Sequence, residues 1–323
     1  MKRIGIPRAL LYYQYYPMWQ VFFEELGAEV VISSPTTPVM LAEGSSRVVA
    51  DTCLPAKVFL GHVLSLVDQC DFVFIPAIRS TRKNIINCSK FLGLPDMTRA
   101  VIPESPPILE IDIDIGRGKR QLYQAIYQLG IHFTWSPLRI RRAVTTALQA
   151  YRQHRERMTN EKLTLAQAIG EKNSVKTPAQ PSQSTIALIG HPYLLYDDYV
   201  NHRLIHRLEQ TGSRVVTSEM LSPGELESAT TRLVGKAYWT YEEEIVGAGG
   251  HYLQDKIDGI IGVMAFGCGP DSLMVEMVRR QAVRLKSVPF MSLTLEEHTA
   301  EAGIVTRLEA FTDMIQRRKR GHN

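Results

Sequence analysis

Eight short runs rich in β-branched and apolar residues recur along this chain, and segments of helical periodicity separate them. Strands that alternate with helices are confined to parallel pairing, because two parallel neighbours can only be joined by a crossover. In the first half the runs lie at 2–6, 29–33, 71–77 and 108–113, with helical patterns near 17–27, 53–69 and 118–130. The second half repeats the rhythm at 185–190, 214–218, 258–266 and 289–293, with helices near 197–211, 239–254, 271–286 and 300–319. The halves share no visible sequence identity, so the repeat is one of architecture. The expectation is an α/β protein of two doubly wound, Rossmann-like parallel-sheet domains.

A chain of 323 residues with 45% hydrophobic content can fill two cores. Residues 170–184 carry Pro, Ser and Gln and only one large apolar residue, a linker composition, and 137–169 reads as one or two connecting helices. The expected division is therefore an N-terminal α/β domain at 1–136, a helical connector and flexible linker at 137–184, and a C-terminal α/β domain at 185–323.

No apolar run approaches the ~20 residues that span a bilayer. The N-terminus, Met1 to Arg8, lacks a signal core and reads as a first strand entering a turn, which predicts a cytoplasmic protein. A net charge of +4, with scattered basic residues until Arg317–Arg320, does not predict nucleic-acid binding.

Four cysteines are too few for a disulfide framework in a chain of this length, which leaves redox or metal chemistry. In open α/β sheets ligands bind beyond the carboxyl ends of the strands. Three cysteines fall on that side. Cys268 follows the 258–266 run in Gly267-Cys268-Gly269-Pro270-Asp271. Cys53 lies in Asp51-Thr52-Cys53-Leu54-Pro55, with Asp51 a candidate N-cap for the next helix, and Cys88 follows the basic loop Arg82-Lys83. Helix N-termini and nearby cations favour the thiolate. Cys70 precedes its strand and reads as a small buried hydrophobe. The spacing 53, 88, 268 matches no zinc-finger pattern. On position alone, the three thiols either share an iron–sulfur cluster or are unrelated, and both readings stand.

The local motifs are more specific. Asp51-Thr52-Cys53-Leu54-Pro55-Ala56-Lys57 with Gly61-His62-Val63, Cys88 before Gly93-Leu94-Pro95-Asp96-Met97, Gly190-His191-Pro192-Tyr193, Phe266-Gly267-Cys268-Gly269-Pro270-Asp271-Ser272, and Glu297-His298-Thr299-Ala300-Glu301 onward together resemble the 2-hydroxyacyl-CoA dehydratase-like family. More narrowly, the chain resembles its CoA-enzyme-activase-related branch, over nearly all of its length except 137–184. The resemblance implies a [4Fe-4S] cluster, or a larger iron–sulfur cluster, on Cys53, Cys88 and Cys268. It also implies reduction at low potential by a separate ATP-dependent activator carrying its own cluster, a CoA ester or other small molecule as substrate, and a dimer. The chain would then be the reductase or dehydratase component. It has Cys88-Ser89 where the family often has Cys-Pro, and Glu296-Glu297-His298 where an Asp-Glu-His is usual.

No phosphate-binding glycine motif follows a strand, and Gly247-Ala248-Gly249-Gly250 sits inside a helical pattern, so ATP hydrolysis is expected elsewhere. Glu297 and His298 follow a strand and are candidates for proton transfer, against a role in helix entry. Arg79, Arg82, Lys83 and His191 are candidates for binding an anionic cluster or CoA phosphates, since guanidinium groups fork onto phosphate oxygens. Solvated basic residues and a structural loop histidine are the alternatives. Two other classes remain: a non-catalytic ligand-binding or scaffold protein of this fold, and a zinc hydrolase on the same thiols.

Overall fold

The computed structural model describes residues 1–81, 85–169, 184–285 and 288–320. It holds two four-stranded, all-parallel sheets with flanking helices, an α/β architecture of two Rossmann-like halves. One compact unit comprises 1–154 with 238–240, the other 155–237 with 241–323.

In the first unit the strands are β1 (Arg3–Ile6), β2 (Glu29–Ile32), β3 (Phe72–Ser80) and β4 (Ile108–Asp114), in the order β2-β1-β3-β4. Ile4 pairs with Val30 on one side and Phe72 on the other. The aromatic segment at 12–23 forms the Tyr12–Glu25 helix, which lies on this sheet: Trp19, tilted, and Phe23, edge to face, pack on Phe74 of β3 at centroid distances of 4.6 and 5.0 Å. These rings, all buried, form the unit's core on that face.

The second unit repeats the plan with β5 (Ser184–Ile189), β6 (Ser213–Val216), β7 (Gly259–Ala265) and β8 (Phe290–Leu295), in the order β6-β5-β7-β8. Ile186 pairs with Val215 and Gly259, and residues 259–265 are almost wholly buried, as a central parallel strand must be. Winding reverses between β1 and β3 in one sheet and between β5 and β7 in the other. Those two reversals are where open α/β sheets bind ligands.

The connector is helical at Pro137–Glu161 and Leu165–Ala168. The division between the units falls inside the first of these, at 154/155. The linker expected at 170–184 lies outside the described residues except for Ser184, which opens β5. Helices that the sequence patterns did not predict appear at Pro38–Ser46, Leu94–Val101 and Pro223–Val234. Glycine placement explains how closely the helices pack. A Cβ on Gly249 would stand 2.5 Å from a methyl of Val278, and one on Gly247 would stand 2.6 Å from the Leu226 carbonyl oxygen. The glycine run therefore serves helix packing inside a π turn (Glu243–Gly247) and the helix Ala248–Tyr252, as its helical pattern suggested. No helix among the described residues is long and apolar enough to cross a membrane.

Candidate functional site

Cys53, Cys88 and Cys268 all precede a helix directly. Cys53 is the N-cap of Leu54–Leu64, where its carbonyl accepts the Ala56 and Lys57 N–H groups at 3.0 and 3.3 Å. Asp51, expected to cap this helix, instead lies in the turn before it. Pro55 in the first helical turn removes a donor there and moves the start of the helix to Cys53. Cys88 is the N-cap of the short Ser89–Leu92 helix. Its loop is fixed from both sides. The Asn87 N–H donates to the Arg79 carbonyl at 2.8 Å, the Cys88 N–H donates to Asn87 Oδ1 at 2.9 Å, and Ile86 forms a parallel bridge with Trp239. Cys268 follows β7 across Gly267, whose φ of +77° makes the sharp turn that only glycine adopts freely. Its carbonyl accepts the Ser272 N–H at 3.2 Å, at the head of Gly269–Leu285.

The fourth cysteine lies at the other end of its sheet and, like the other three, is half-buried rather than the fully buried hydrophobe expected from sequence. Cys70 precedes β3, its thiol donates to the Leu66 carbonyl at 3.5 Å, and a Cβ on Gly5 would meet its sulfur at 2.6 Å. Burial pushes this thiol up and holds it protonated.

Beside Cys268 the second unit buries an ion pair that sequence inspection missed. His191 follows β5 and Asp271 follows β7, so they flank the winding reversal; His191 Nε2 lies 2.7 Å from Asp271 Oδ1. Both residues are buried, Asp271 completely. Asp271 Oδ2 accepts the Ala265 N–H at 3.2 Å, and the carboxylate also takes a hydrogen bond from the Cys268 side chain. Burial alone would push His191 down, but the Asp271 carboxylate outweighs it, with help from Glu244, and the imidazole is held above its ordinary range. Burial likewise opposes ionisation of Asp271, yet His191, the Ala265 N–H and Cys268 hold it below its ordinary range. The ring of Tyr193 lies 5.0 Å from the imidazole and that of Tyr241 5.7 Å from it.

The first unit has its own buried histidine at the corresponding end of the sheet. His62 Nδ1 meets Ser33 Oγ at 2.8 Å and Nε2 meets Thr36 Oγ1 at 2.9 Å, while the Arg8 N–H donates to the same Ser33 oxygen. Burial, and then the nearby Arg8 charge, lower the pKa of His62 to about 4, so the ring is neutral. Arg79 presents Nε to both carboxylate oxygens of Asp112 at 3.1 Å. Arg82 and Lys83 lie outside the described residues. Glu297 and His298 face each other at 3.6 Å after β8, with the His298 side chain 84% exposed.

Iron–sulfur ligation needs soft thiolate donors with local support for their charge. The three helix-leading cysteines supply the soft donors, although the Cys268 side chain donates to the buried Asp271 carboxylate, which opposes a thiolate there; Cys70, pushed up by burial, stands apart from them. Cys53 and Cys88 belong to the first unit and Cys268 to the second. Among the described residues no three His, Cys, Asp or Glu side chains are gathered to hold a metal ion.

Residues 3–221 match the model of a family described as CoA enzyme activase uncharacterised domain. Among curated proteins nothing matches. A solved structure described as "Crystal Structure Analysis of the Glycotransferase of kitacinnamycin" is similar over 98% of this chain and 95% of its own, at 10% identity. Its TM-score of 0.22 is too low to carry an argument.

Proposed function

The chain belongs to the CoA enzyme activase uncharacterised domain family, and from that premise we propose that it is an iron–sulfur protein with Cys53, Cys88 and Cys268 as ligands. The observation that carries this reading is the division of the cysteines. Three stand at helix starts beyond strand carboxyl ends, and the fourth is a half-buried thiol at the other end of its sheet, pushed up by burial and bonded to the Leu66 carbonyl.

A [4Fe-4S] cluster held by three thiolates would supply low-potential one-electron chemistry and keep one iron open to a small molecule such as a CoA ester. The electron would come from a separate ATP-dependent activator with its own cluster. The chain's own residues would position and neutralise. The Gly267 turn presents Cys268, the bridge from Ile86 to Trp239 fixes the Cys88 loop, and Arg79, with Arg82 and Lys83, would offer positive charge to phosphate oxygens.

Metal analysis of protein prepared anaerobically tests this reading. Brown protein with about four irons per chain is expected; colourless protein without iron after anaerobic reconstitution refutes it. A second reading is a non-catalytic ligand-binding or scaffold protein of the same fold, since a fold does not fix an activity. It requires that Cys53→Ser and Cys268→Ser leave ligand and partner binding intact.

A further inference from the structure

The second unit also buries a carboxylate that no cation meets. β6 ends at Val216, and a single 3₁₀ turn, Ser218–Met220, carries Glu219 beyond the strand's carboxyl end, with 5% of the residue exposed. Glu219 Oε2 accepts the Tyr196 hydroxyl at 3.0 Å, and that hydroxyl also meets Thr217 Oγ1 at 3.1 Å. Tyr252, another buried ring, donates to the Thr217 carbonyl at 2.8 Å. The other carboxylate oxygen, Oε1, is buried and has no hydrogen-bond partner among the described residues. The Ser218 hydroxyl, one residue before it and able to donate, is buried without a partner as well. Lys162 reaches this turn, yet its Nζ donates to the Met220 carbonyl at 2.8 Å, while Thr159 Oγ1 donates to the Glu219 carbonyl at 3.4 Å. Among the described residues no lysine, arginine or histidine forms an ion pair with Glu219. Burial, and then the Glu219 charge, hold Tyr196 as a phenol, so the ring brings Glu219 a hydrogen but no charge. Asp197, buried in the same unit, shows the contrast: one of its oxygens accepts the Tyr199 and Val200 N–H groups at 3.2 and 3.1 Å.

A buried charge is costly unless an opposite charge stands beside it. We infer that Glu219 holds a small monovalent cation, an alkali-metal ion or ammonium, on Oε1. Hard carboxylate and hydroxyl oxygens suit such ions and do not suit soft metals. A single carboxylate offers one negative charge. Calcium takes about six to eight oxygens, as a rule from several carboxylates, whereas no three His, Cys, Asp or Glu side chains are gathered for a metal among the described residues. Every residue named lies in the second unit, on the carboxyl side of β6, where open α/β sheets place their ligands. The site is independent of the iron–sulfur reading.

The test is urea unfolding of wild type and Glu219→Gln at fixed chloride concentration and ionic strength, with tetramethylammonium replaced stepwise by potassium, sodium or ammonium. A cation that binds only the folded state should raise the wild-type folding constant about tenfold for each tenfold increase above its dissociation constant. Glu219→Gln keeps an oxygen that can accept the Tyr196 hydroxyl but carries no charge, and it should show no such rise. Wild type indifferent to all three ions overturns the inference. So does a rise that Glu219→Gln retains, since the ion then sits elsewhere. Should Glu219→Gln not fold, wild-type crystals soaked in thallous ion decide by anomalous scattering. An anomalous peak at Glu219 Oε1 supports the site; a water only, or peaks confined to other carboxylates, overturns it.

Discussion

A Cβ placed on Gly61 would stand 2.0 Å from the carbonyl oxygen of Met40, and a Cβ on the facing Gly44 would stand 2.0 Å from that of Lys57. The helices Pro38–Ser46 and Leu54–Leu64 therefore cross backbone to backbone, and nothing larger than glycine fits at either point. This crossing fixes the helix that Cys53 leads and buries Lys57 and His62 on it. The clash of Gly61→Ala is with backbone, which cannot rotate aside, so a destabilisation of about 3 kcal/mol or more is expected, at or beyond the upper end for overpacking. Denaturant unfolding measures it, and a change within about 0.5 kcal/mol, the range of an ordinary surface substitution, would refute the crossing.

Gly249 makes the same kind of contact with a side chain instead. A methyl there would press on both methyls of Val278 at 2.5 and 2.6 Å. Gly249→Ala is expected to cost about 1–3 kcal/mol. Val278→Ala should relieve it, so the double variant will be more stable than the sum of the two single losses predicts. Strict additivity in a thermal-unfolding cycle would show that the two residues do not touch.

All eight strands were legible because a buried parallel strand has to be a short run of apolar, often β-branched residues, as Ile260-Ile261-Gly262-Val263 is. The Pro38–Ser46 helix was not, because its close packing depends on Gly44 rather than on an amphipathic stripe, and Gly and Ser at its end read as loop. The Pro223–Val234 helix carried a readable start that was overlooked, since Ser222 and Glu225 form a reciprocal capping box. The cysteines at strand ends followed from strand polarity. The partnership of His191 with Asp271 did not, because the residues lie far apart in sequence, and Asp271, two residues inside a Gly-Pro helix start, looks like an ordinary helix-entry carboxylate.

The cysteines should separate by chemistry. Cys268→Ser replaces a soft thiolate with a hard, weakly acidic hydroxyl and is expected to abolish or deplete bound iron. Cys70→Ser changes a half-buried thiol bonded to the Leu66 carbonyl, where serine can make the same bond, at a stability cost of about 1 kcal/mol with iron unchanged. Iron content and the visible spectrum after identical anaerobic reconstitution decide the matter. Equal iron loss in both variants, or none in Cys268→Ser, would undo the assignment.

His62 predicts how stability responds to acid. The unfolded chain protonates this residue near its ordinary 6.5, whereas burial, and then Arg8, bring the folded value to about 4. Between those values the unfolded state holds the extra proton, so the free energy of unfolding rises with pH. The contribution is fully present above pH ~6.5, falls as the pH drops through that window, and is spent below pH ~4. Its size is about 3 kcal/mol, from ~1.4 kcal/mol per pKa unit. His62→Gln, which keeps a side chain able to bond Ser33 or Thr36 but cannot titrate, should be less stable than wild type at pH 7 and closer to it at pH 4.5. Urea unfolding across that range measures both curves. Parallel pH dependence in the two proteins would mean that His62 does not titrate differently on folding.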